Sequence, residues 1–525
     1  MATAAPDSTP PLEARRASLW LAAVPAAVGL AICLWQLHLP HWWAGSASYD
    51  DGVYVGSAIE LARGLLPYRD YTFVQPPGIT ILLAPAAVLC RALGFGTQDV
   101  VFLSRLITLV VTALDAALVA LTIRHRGAVA MIVGGLAFAF FPGANQADSV
   151  ALLEPYVDLF CLAGILLLFS NGRVVSGWRV YLAGMSFGLA CSFKVWAVLP
   201  AGIVLCFAAW VGRDRILRFA AGSVTGIALT YGVFFAAAPR ALFRDVFTAQ
   251  VNRLTAQGLH QLAGRLDSIF GFNQLRLPAW AVVLSAIGFV AVVFMAHAAT
   301  PPSERPTVLE QYLATFTIIG LVVLVSASPF YGHYPYLLVP GMAILMGSVT
   351  ARAVRNSARL LATRQGGDQV RWGKLAAVTA MSLTAVLGAF AAVRAYQSFE
   401  QSDFAGDNSP NVALVSSLPA SSCILSDQAS IAISANRLSY GERGCPVLLD
   451  SEGIQLVQTA TAGDGPKSSG VLAYEWKHWF EHANYVYLTA RFTRIPWPNW
   501  LNNWFHDHFT PMPVKYGLGT LYRRG

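Results

Sequence analysis

Residues 19–54 read LWLAAVPAAVGLAICLWQLHLPHWWAGSASYDDGVY, an apolar run followed by a polar stretch with two adjacent carboxylates. A run of ~20 apolar residues rising 1.5 Å per residue spans the ~30 Å hydrocarbon core of a bilayer. The run is long for the apolar part of a cleaved signal peptide, and many similar runs follow it. We therefore expect residues 19–39 to form an uncleaved first membrane helix.

The rest of the chain repeats this pattern of apolar runs and short polar loops. Hydrophobic residues make up 55% of the 525 residues and charged residues 12%, whereas soluble domains carry about 25% charged residues. This composition excludes an ordinary soluble enzyme and a disordered chain, and predicts a polytopic α-helical membrane protein. Further apolar runs lie near 78–94, 100–123, 128–142, 155–170, 179–193, 195–211, 219–238, 279–298, 308–328, 335–351 and 374–394.

The loop charges decide how many of these runs cross the membrane. If 78–94 crossed, the basic loops at 124–126 and 213–218 would lie outside, against the positive-inside rule. If 78–94 stays on the outer side as a juxtamembrane helix, every basic loop falls inside. We therefore predict about eleven membrane helices in the plasma membrane, with the N-terminus in the cytoplasm and the C-terminus outside.

The same reasoning predicts the domain organisation. Residues 1–17 form a cytoplasmic tail, 18–395 a membrane domain with juxtamembrane helices in an outer loop at 40–99, and 396–525 a small mixed α/β extracytoplasmic domain. The net charge of +8 lies among the apolar segments, and no basic tract with interleaved aromatic residues occurs, so we expect no nucleic-acid partner. The strand-like runs of the last domain are Val412–Val415, Ser422–Leu425, Val447–Leu449 and Tyr485–Leu488.

Two features of the C-terminal region suggest how it is stabilised: a pair of cysteines and a cluster of tryptophans. Cys423 and Cys445 lie in its polar sequence, and in an oxidising compartment they are candidates for a disulfide bond. The segment 476–504 carries five tryptophans. Tryptophan favours the membrane surface, but an ordinary domain core explains the same residues equally well.

Ionisable residues at the outer helix ends are the candidate site residues, because charge is costly in such an apolar chain. Asp50 and Asp51 directly follow the first membrane helix. One carboxylate could act as a general base while the other orients it. Alternatively, the pair simply caps the helix that the following residues suggest.

The other outer turns offer similar pairs of interpretations. Glu154 precedes Pro155, where it either stabilises a helix N-terminus or belongs to a site on the same outer side of the membrane as Asp50. Lys194 either extends to the membrane surface or binds an anion. Arg69 could meet a phosphate or pair with Asp70, and His333 lies among tyrosines that could form an aromatic belt. Together these groups would suit an acid/base site that handles a phosphate.

Several of these segments resemble the polytopic GT-C glycosyltransferases, such as the protein O-mannosyltransferases and the lipid A aminoarabinose transferases, with a compositional likeness to actinobacterial members. The resemblance covers roughly residues 20–350. This sequence has Asp51 where many relatives have Glu, and Ser-Phe where they have a small residue and Thr before the lysine. The matching segments are Asp50-Asp51-Gly52-Val53-Tyr54, Gln75-Pro76-Pro77-Gly78, Glu154, Phe193-Lys194 and His333-Tyr334.

The resemblance implies transfer of a sugar, as in mannosyl- or arabinosyltransferases, from a polyprenyl phosphate to an acceptor on the outer face. The acceptor would be a cell-envelope glycan, a lipid or a protein. The resemblance makes Asp50 the general base, with Asp51 and Glu154 holding the acceptor. Lys194, Arg69 and His333 would neutralise the leaving phosphate. Tyr54, Gln75 and Tyr334 would complete the site for the substrate and the lipid phosphate.

Two other functions remain open at this stage. A transporter or flippase of a lipid-linked or anionic substrate would use the same outer carboxylates and would need polar residues in mid-span, of which Asp115 and Asp158 are the main ones. A scaffold would leave the membrane body inert. We expect no cofactor besides the lipid-linked donor, and no metal site, because no ligand cluster is visible.

Overall fold

The computed structural model describes most of the chain, with gaps between the segments. The described residues are 12–36, 49–141, 150–252, 262–271, 278–284, 287–288, 305–327, 330–365, 369–400, 409–438, 444–461, 467–489, 494–512 and 519–525. The outer turn at 145–149 and most of the apolar run at 279–298 therefore lie outside the described residues.

The described chain is predominantly helical. Its first helices are α1 Leu12–Gln36, α2 Tyr49–Ala62, α3 Gly78–Ala92, α4 Thr97–Thr122, α5 Ala128–Ala139, α6 Glu154–Leu168, α7 Trp178–Cys191, α8 Val198–Val211 and α9 Arg213–Ala237. These are followed by α10 Pro239–Phe243, α11 Ala249–Asn252, α12 Leu262–Ile269, α13 Val308–Ser326, α14 Val339–Gln365 and α15 Gln369–Glu400. The short strands β1 Phe169–Ser170 and β2 Arg173–Val174 form a hairpin between α6 and α7.

The chain folds as a polytopic membrane protein. Among the described residues, six helices are long and apolar enough to cross a bilayer by length and composition. They cover Arg16–Trp35, Thr97–Thr122, Arg213–Ala237, Val308–Ser326, Tyr334–Arg359 and Lys374–Arg394. Shorter apolar helices at Gly78–Ala92, Ala128–Ala139 and Val195–Phe207 accompany them. The count of eleven membrane helices and the orientation of the termini stay predictions.

Helices α7 and α9 pack against each other through small residues. Gly184 and Gly188 of α7 face backbone carbonyls of α9, and Gly222 and Gly226 of α9 face backbone carbonyls of α7. A Cβ at Gly222 would overlap the carbonyl oxygen of Tyr181. This is the small-xxx-small arrangement that lets membrane helices approach closely, because tight packing replaces the hydrophobic effect inside a bilayer.

We therefore expect Gly222→Ala to lower the melting temperature of the protein in detergent by several degrees. The added methyl group must push two backbones apart, and overpacking of this kind costs about 1–3 kcal/mol. Gly232→Ala on the same helix is the matched control, because nothing lies within 4 Å of its Cβ position. Equal melting temperatures for the two variants would contradict this packing.

The predicted outer loop contains two helices. Helix α2 begins at the Asp50-Asp51 pair, which lies in its first turn. Helix α3 follows the Gln75-Pro76-Pro77 segment and has 15 residues, or ~22 Å at 1.5 Å per residue. It is thus shorter than the ~30 Å hydrocarbon core, as a juxtamembrane helix would be.

Glu60 near the end of α2 predicts a pH dependence of stability. It is fully buried and pairs with Arg63 at 2.7 Å. Burial raises its pKa to about 7, against the opposing effect of Arg63. Near pH 6 the folded state therefore holds a proton on Glu60 that the unfolded state has released. The contribution of this proton to the free energy of unfolding is fully present below the unfolded pKa of Glu60, and it is lost as the pH rises through about 7.

We expect the melting temperature of the wild type to fall between pH 5 and pH 8 by more than that of Glu60→Gln. A shift of this size corresponds to about 3 kcal/mol, and the glutamine cannot ionise. Thermal unfolding of both proteins at matched pH values measures the difference. Parallel pH profiles would show that Glu60 does not titrate in this window.

A buried charged cluster lies at the end of the helical bundle away from α2. The Nε of Arg126 donates to Glu310 Oε1 at 2.9 Å, and Nη1 of Arg355 donates to the carbonyl of Arg126 at 3.1 Å. Glu310 also caps α13 through Thr307. The basic residues predicted for the inner side thus meet at one end of the bundle.

The C-terminal region combines a small sheet with helices. Its helices are α16 Ser409–Ser416, α17 Ala429–Ser434, α18 Ser451–Thr461, α19 Lys467–His482 and α20 Asn499–His508. Its strands β3 Ile424–Ser426, β4 Tyr485–Thr489, β5 Phe509–Pro511 and β6 Gly519–Arg524 lie in the order β3-β4-β6-β5. Strands β3 and β4 are parallel, and the other two pairs are antiparallel. Cys423 and Cys445 are joined by a disulfide bond, with 5.5 Å between their Cα atoms.

Two strand predictions in this region are wrong. Val412–Val415 lies inside helix α16, where Val415 packs against Ile431 of α17 and Ile424 of β3. The three-residue spacing of its valines fits one helix face, and tertiary packing outweighs β-propensity. Val447–Leu449 has no regular secondary structure and leads directly into Asp450.

The tryptophans of this region belong mainly to a domain core. Trp476 is buried against Phe480, and Trp479, Trp497 and Trp504 pack on the same cluster. Trp500 is the most exposed of the five and stacks on Tyr474 at 4.6 Å. The core interpretation of these residues therefore holds for four of them.

Candidate active site

The side chains of Asp50 and Asp51 lie in different environments. Asp51 is buried, and its Oδ2 accepts from Nη2 of Arg105 at 2.6 Å and from Nε at 3.2 Å. Its Oδ1 accepts from the backbone N–H of Ala151 at 3.1 Å. Asp51 thus ties α2 to α4 and to the segment before α6, whereas Asp50 is only half-buried.

Arg105 is a residue that the sequence analysis missed. It lies within the apolar run of α4 and is 3% exposed. The signal was present, because an arginine inside a membrane-length apolar run needs a buried partner. Only the fold shows that the partner is Asp51.

Lys194 is held next to Glu154 by aromatic packing. Phe193 stacks between Tyr156 and Phe160 of α6, at centroid distances of 5.4 and 5.5 Å. Since α6 begins at Glu154, this stacking brings the Lys194 ammonium to the Glu154 carboxylate, and the two form a buried ion pair.

The first outer loop fixes the turn that carries Lys194. The N–H of Gly78 donates to the carbonyl of Ser192 at 2.7 Å. A Cβ on Gly78 would lie 2.5 Å from that oxygen, so only glycine permits this approach. The Gln75-Pro76-Pro77-Gly78 segment therefore packs directly on the lysine turn.

His333 and Tyr334 complete the surroundings of this ion pair. His333 Nε2 lies 3.6 Å from Glu154 Oε1, and the Lys194 ammonium lies 4.2 Å from the centre of the Tyr334 ring. Burial lowers the pKa of His333 to about 4, although Glu154 favours its charged form. The imidazole is therefore neutral at physiological pH.

Tyr54 shows that the groups from separate segments converge. It is buried one turn along α2 from Asp50. Burial, followed by the negative charges of Asp50 and Glu154, raises the pKa of its phenol above the usual range, and Tyr334 and Asp450 act in the same direction. All four groups therefore lie near enough to act on this phenol electrostatically.

The C-terminal region reaches the start of α2. The hydroxyl of Tyr49 donates to Asp450 Oδ1 at 2.9 Å and accepts from the backbone N–H of Glu452 at 2.8 Å. Arg494 lies 3.8 Å above the Tyr49 ring. Tyr331 donates to Glu452 Oε1 at 3.0 Å. The turn that carries Asp50 is thus held between the C-terminal region and the segment before α14.

Arg69 and Gln75, the other predicted site residues, make local contacts. Arg69 is half-exposed and binds Asp70 through two hydrogen bonds of 2.9 and 2.8 Å. The backbone carbonyl of Gln75 accepts from the hydroxyl of Tyr68 at 2.6 Å.

The described residues contain no group of three His, Cys, Asp or Glu side chains arranged to hold a metal ion.

An apolar cavity adjoins the lysine turn. It lies between α6, α8, α13 and α14, and Trp196 and Ala197, which follow Lys194 closely, form part of its wall. Asp158 is the one acidic residue among the described residues that line it, and the others are mostly aliphatic or aromatic. Representative lining residues are Val157, Cys161, Leu199, Phe316 and Leu338.

Solved structures with this architecture exist, although no family model and no curated protein matches the sequence. ArnT from Cupriavidus metallidurans bound to undecaprenyl phosphate aligns with a TM-score of 0.58 at 14% identity, over 95% of this chain and 97% of that one. Its apo form gives 0.59 at 13% identity, with coverages of 95% and 97%.

A second kind of enzyme shares the architecture. The oligosaccharyltransferase of Archaeoglobus fulgidus, in complex with Zn and sulfate, aligns with a TM-score of 0.50 at 14% identity, over 89% of this chain and 68% of that one. Both ArnT, an aminoarabinose transferase, and this enzyme are GT-C glycosyltransferases. This chain therefore has the polytopic GT-C fold.

Proposed function

We propose that this chain is a membrane glycosyltransferase that moves a sugar from a polyprenyl phosphate to an acceptor. The observation that carries the proposal is the buried Lys194–Glu154 ion pair beside His333 and Tyr334, with Asp50 and Glu154 both acting electrostatically on the Tyr54 phenol. A carboxylate and an ammonium in one partly desolvated site supply the base and the cation that such a transfer needs.

In the proposed reaction the acceptor hydroxyl attacks the anomeric carbon of the donor. Asp50 accepts the hydroxyl proton as the new C–O bond forms. The bond between the anomeric carbon and the phosphate oxygen breaks, and its electron pair leaves with the lipid phosphate. Asp50 suits the role of base because it is half-buried and can be reached by an acceptor, whereas Asp51 is buried against Arg105.

Lys194 is the proposed cation for the leaving phosphate. Its ammonium is buried beside Glu154 and over Tyr334, where a developing negative charge is stabilised more strongly than in water. Glu154 then holds the amine in place. His333, being neutral, is proposed to donate a hydrogen bond to the phosphate rather than to neutralise it.

The remaining residues have supporting roles in this proposal. Asp51 positions the turn of Asp50 through Arg105, and Tyr54 forms the wall of the site. Gln75 supports the lysine turn through the loop that Gly78 docks. Arg69 would act on a phosphate only if it left Asp70.

The apolar cavity next to Lys194 supports a lipid-linked donor. Its apolar walls suit isoprenoid groups, and Trp196 and Ala197 of its wall follow Lys194 in the chain, so we propose that the phosphate of such a donor would lie near the ammonium. ArnT, a neighbour in fold, has been solved with undecaprenyl phosphate. The donor sugar, hexose or pentose, and the acceptor, whether cell-wall glycan, lipid or protein, are left to experiment.

The proposal includes a location. Residues 18–395 would be the membrane domain and 396–525 an extracytoplasmic domain, with the site on the outer face of the plasma membrane. The gathering of Arg126, Arg352 and Arg355 at the opposite end of the bundle supports this orientation, because basic residues favour the cytoplasmic side.

The direct test uses the full chain in nanodiscs. Synthetic polyprenyl-phosphate sugars, one hexose and one pentose, are mixed with envelope extract as the acceptor source. Mass spectrometry follows the release of free polyprenyl phosphate and the mass gained by the acceptor. Transfer of either sugar supports the proposal, and an intact donor under all these conditions contradicts it.

A transporter of lipid-linked substrates is the second candidate. The buried Asp115 and Asp158 favour it, since Asp158 lines the apolar cavity within the membrane domain. In sealed vesicles, a transporter moves the labelled donor across the bilayer without releasing polyprenyl phosphate. A glycosyltransferase releases it.

A further inference from the structure

A second cavity lies at the opposite end of α2 from Asp50. The ends of α2 and α3 and the start of α4 form its walls, including Ile59, Arg63, Ala87, Arg91 and Val100. Arg63 directly follows α2 and lies thirteen positions after Asp50, which is ~20 Å at 1.5 Å per residue. This cavity is therefore distinct from the candidate active site.

The cavity carries a positive charge. Nη1 of Arg91 donates to the carbonyl of Ala62 at 3.2 Å, and no carboxylate of the described residues forms an ion pair with Arg91. Arg63 pairs with Glu60 at 2.7 Å. Because burial raises the pKa of Glu60 to about 7, this carboxylate is only partly ionised near neutral pH. Arg91 thus brings positive charge to the cavity beside the Arg63–Glu60 pair.

An apolar strip lies beside the arginines. It consists of Val88, Leu89, Leu93 and Phe95, each more than half exposed. They flank Arg91 at the end of α3, and contiguous exposed apolar residues on a juxtamembrane helix face lipid. With α3 at the membrane surface as predicted, the cavity mouth would lie where the polar headgroup region meets hydrocarbon.

From these observations we infer that the cavity binds the phosphate-bearing headgroup of an anionic membrane lipid, whose acyl chains lie along the apolar strip. Guanidinium groups suit this ligand because their planar donors match phosphate oxygens in paired hydrogen bonds. The apolar strip favours a lipid over a free anion, because only a lipid has acyl chains that can pack on it. The inference does not depend on the glycosyltransferase activity.

The test is native mass spectrometry of the full chain in detergent with added phosphatidylglycerol or phosphatidylcholine. We expect phosphatidylglycerol to be retained on the wild type at least tenfold better than phosphatidylcholine. Arg91→Gln should abolish this preference. Arg91 is exposed, and its loss leaves Glu60 paired with Arg63, so the variant is expected to fold.

Two controls make the outcome decisive. Arg523→Gln removes an equal charge from an exposed position on β6 and should retain the lipid as the wild type does. Inorganic phosphate at millimolar concentration should not displace the lipid. Equal retention by wild type and Arg91→Gln would overturn the inference, and so would full displacement by inorganic phosphate, which would indicate a site for free anions.

Discussion

Asp50→Asn is expected to lower sugar transfer by ~10²–10⁴-fold, the range that general acid–base catalysis contributes. The asparagine keeps the size of the side chain but cannot take the proton from the acceptor hydroxyl. Asp50 is only half-buried, and the anchoring of α2 depends on Asp51 with Arg105 and on Tyr49 with Asp450. The variant should therefore keep its melting temperature and its affinity for polyprenyl phosphate.

The assay for Asp50 measures initial rates with a saturating donor in nanodiscs. Asp507→Asn, an exposed carboxylate on α20, is the matched control and should keep the wild-type rate. A rate near wild type for Asp50→Asn would exclude Asp50 as the base. A fall in rate accompanied by loss of thermal stability would instead indicate a structural role.

Lys194→Ala is expected to weaken binding of polyprenyl phosphate by ~10–100-fold, because a hydrogen bond to a charged group contributes about 1.5–3 kcal/mol. The same change strands the Glu154 carboxylate, which is 1% exposed and loses its ammonium partner. Breaking a buried ion pair costs about 3–5 kcal/mol. The single variant should therefore be less stable as well as weaker in binding.

The double variant Lys194→Ala/Glu154→Gln separates these two effects. Removing the stranded charge should restore much of the melting temperature, while the affinity for polyprenyl phosphate stays low. Native mass spectrometry with titrated lipid measures the affinity, and thermal unfolding measures the stability. Recovery of both properties in the double variant would show that Lys194 balances Glu154 and does not bind the phosphate.

The sequence predicted the architecture well because the strongest signals are local. Apolar runs of membrane length, the Asp50-Asp51 pair after α1 and the Gln75-Pro76-Pro77-Gly78 entry to α3 can each be recognised without tertiary information. The GT-C fold that these segments suggested is confirmed by the structural comparisons. The number of membrane helices depends on charge balance across a bilayer and stays a prediction.

Pairings between distant segments could not be predicted in the same way. Asp51 and Arg105 are 54 positions apart, and Tyr49 meets Asp450 across 401 positions. The periodicity of apolar residues shows which face of a helix is buried, but it does not show which other helix packs against that face. The wrong strand at Val412–Val415 has a related cause, because its helix is stabilised by packing on α17.

The contact between α7 and α9 was missed, although the sequence contains a signal for it. Gly184 and Gly188 lie four positions apart in one apolar run, as do Gly222 and Gly226 in a later one. This spacing is typical of close membrane-helix pairs. It would have predicted the contact of α7 with α9 before the structure was known.

The central claim is that the phosphate of the lipid donor lies at Lys194, within reach of Asp50. The most direct measurement is an electron cryomicroscopy structure of the full chain in nanodiscs with polyprenyl phosphate. Our account predicts the phosphate within hydrogen-bond distance of the Lys194 ammonium, with the isoprenoid chain in the cavity between α6, α8, α13 and α14. A phosphate bound elsewhere, with Lys194 still closed on Glu154, would contradict it.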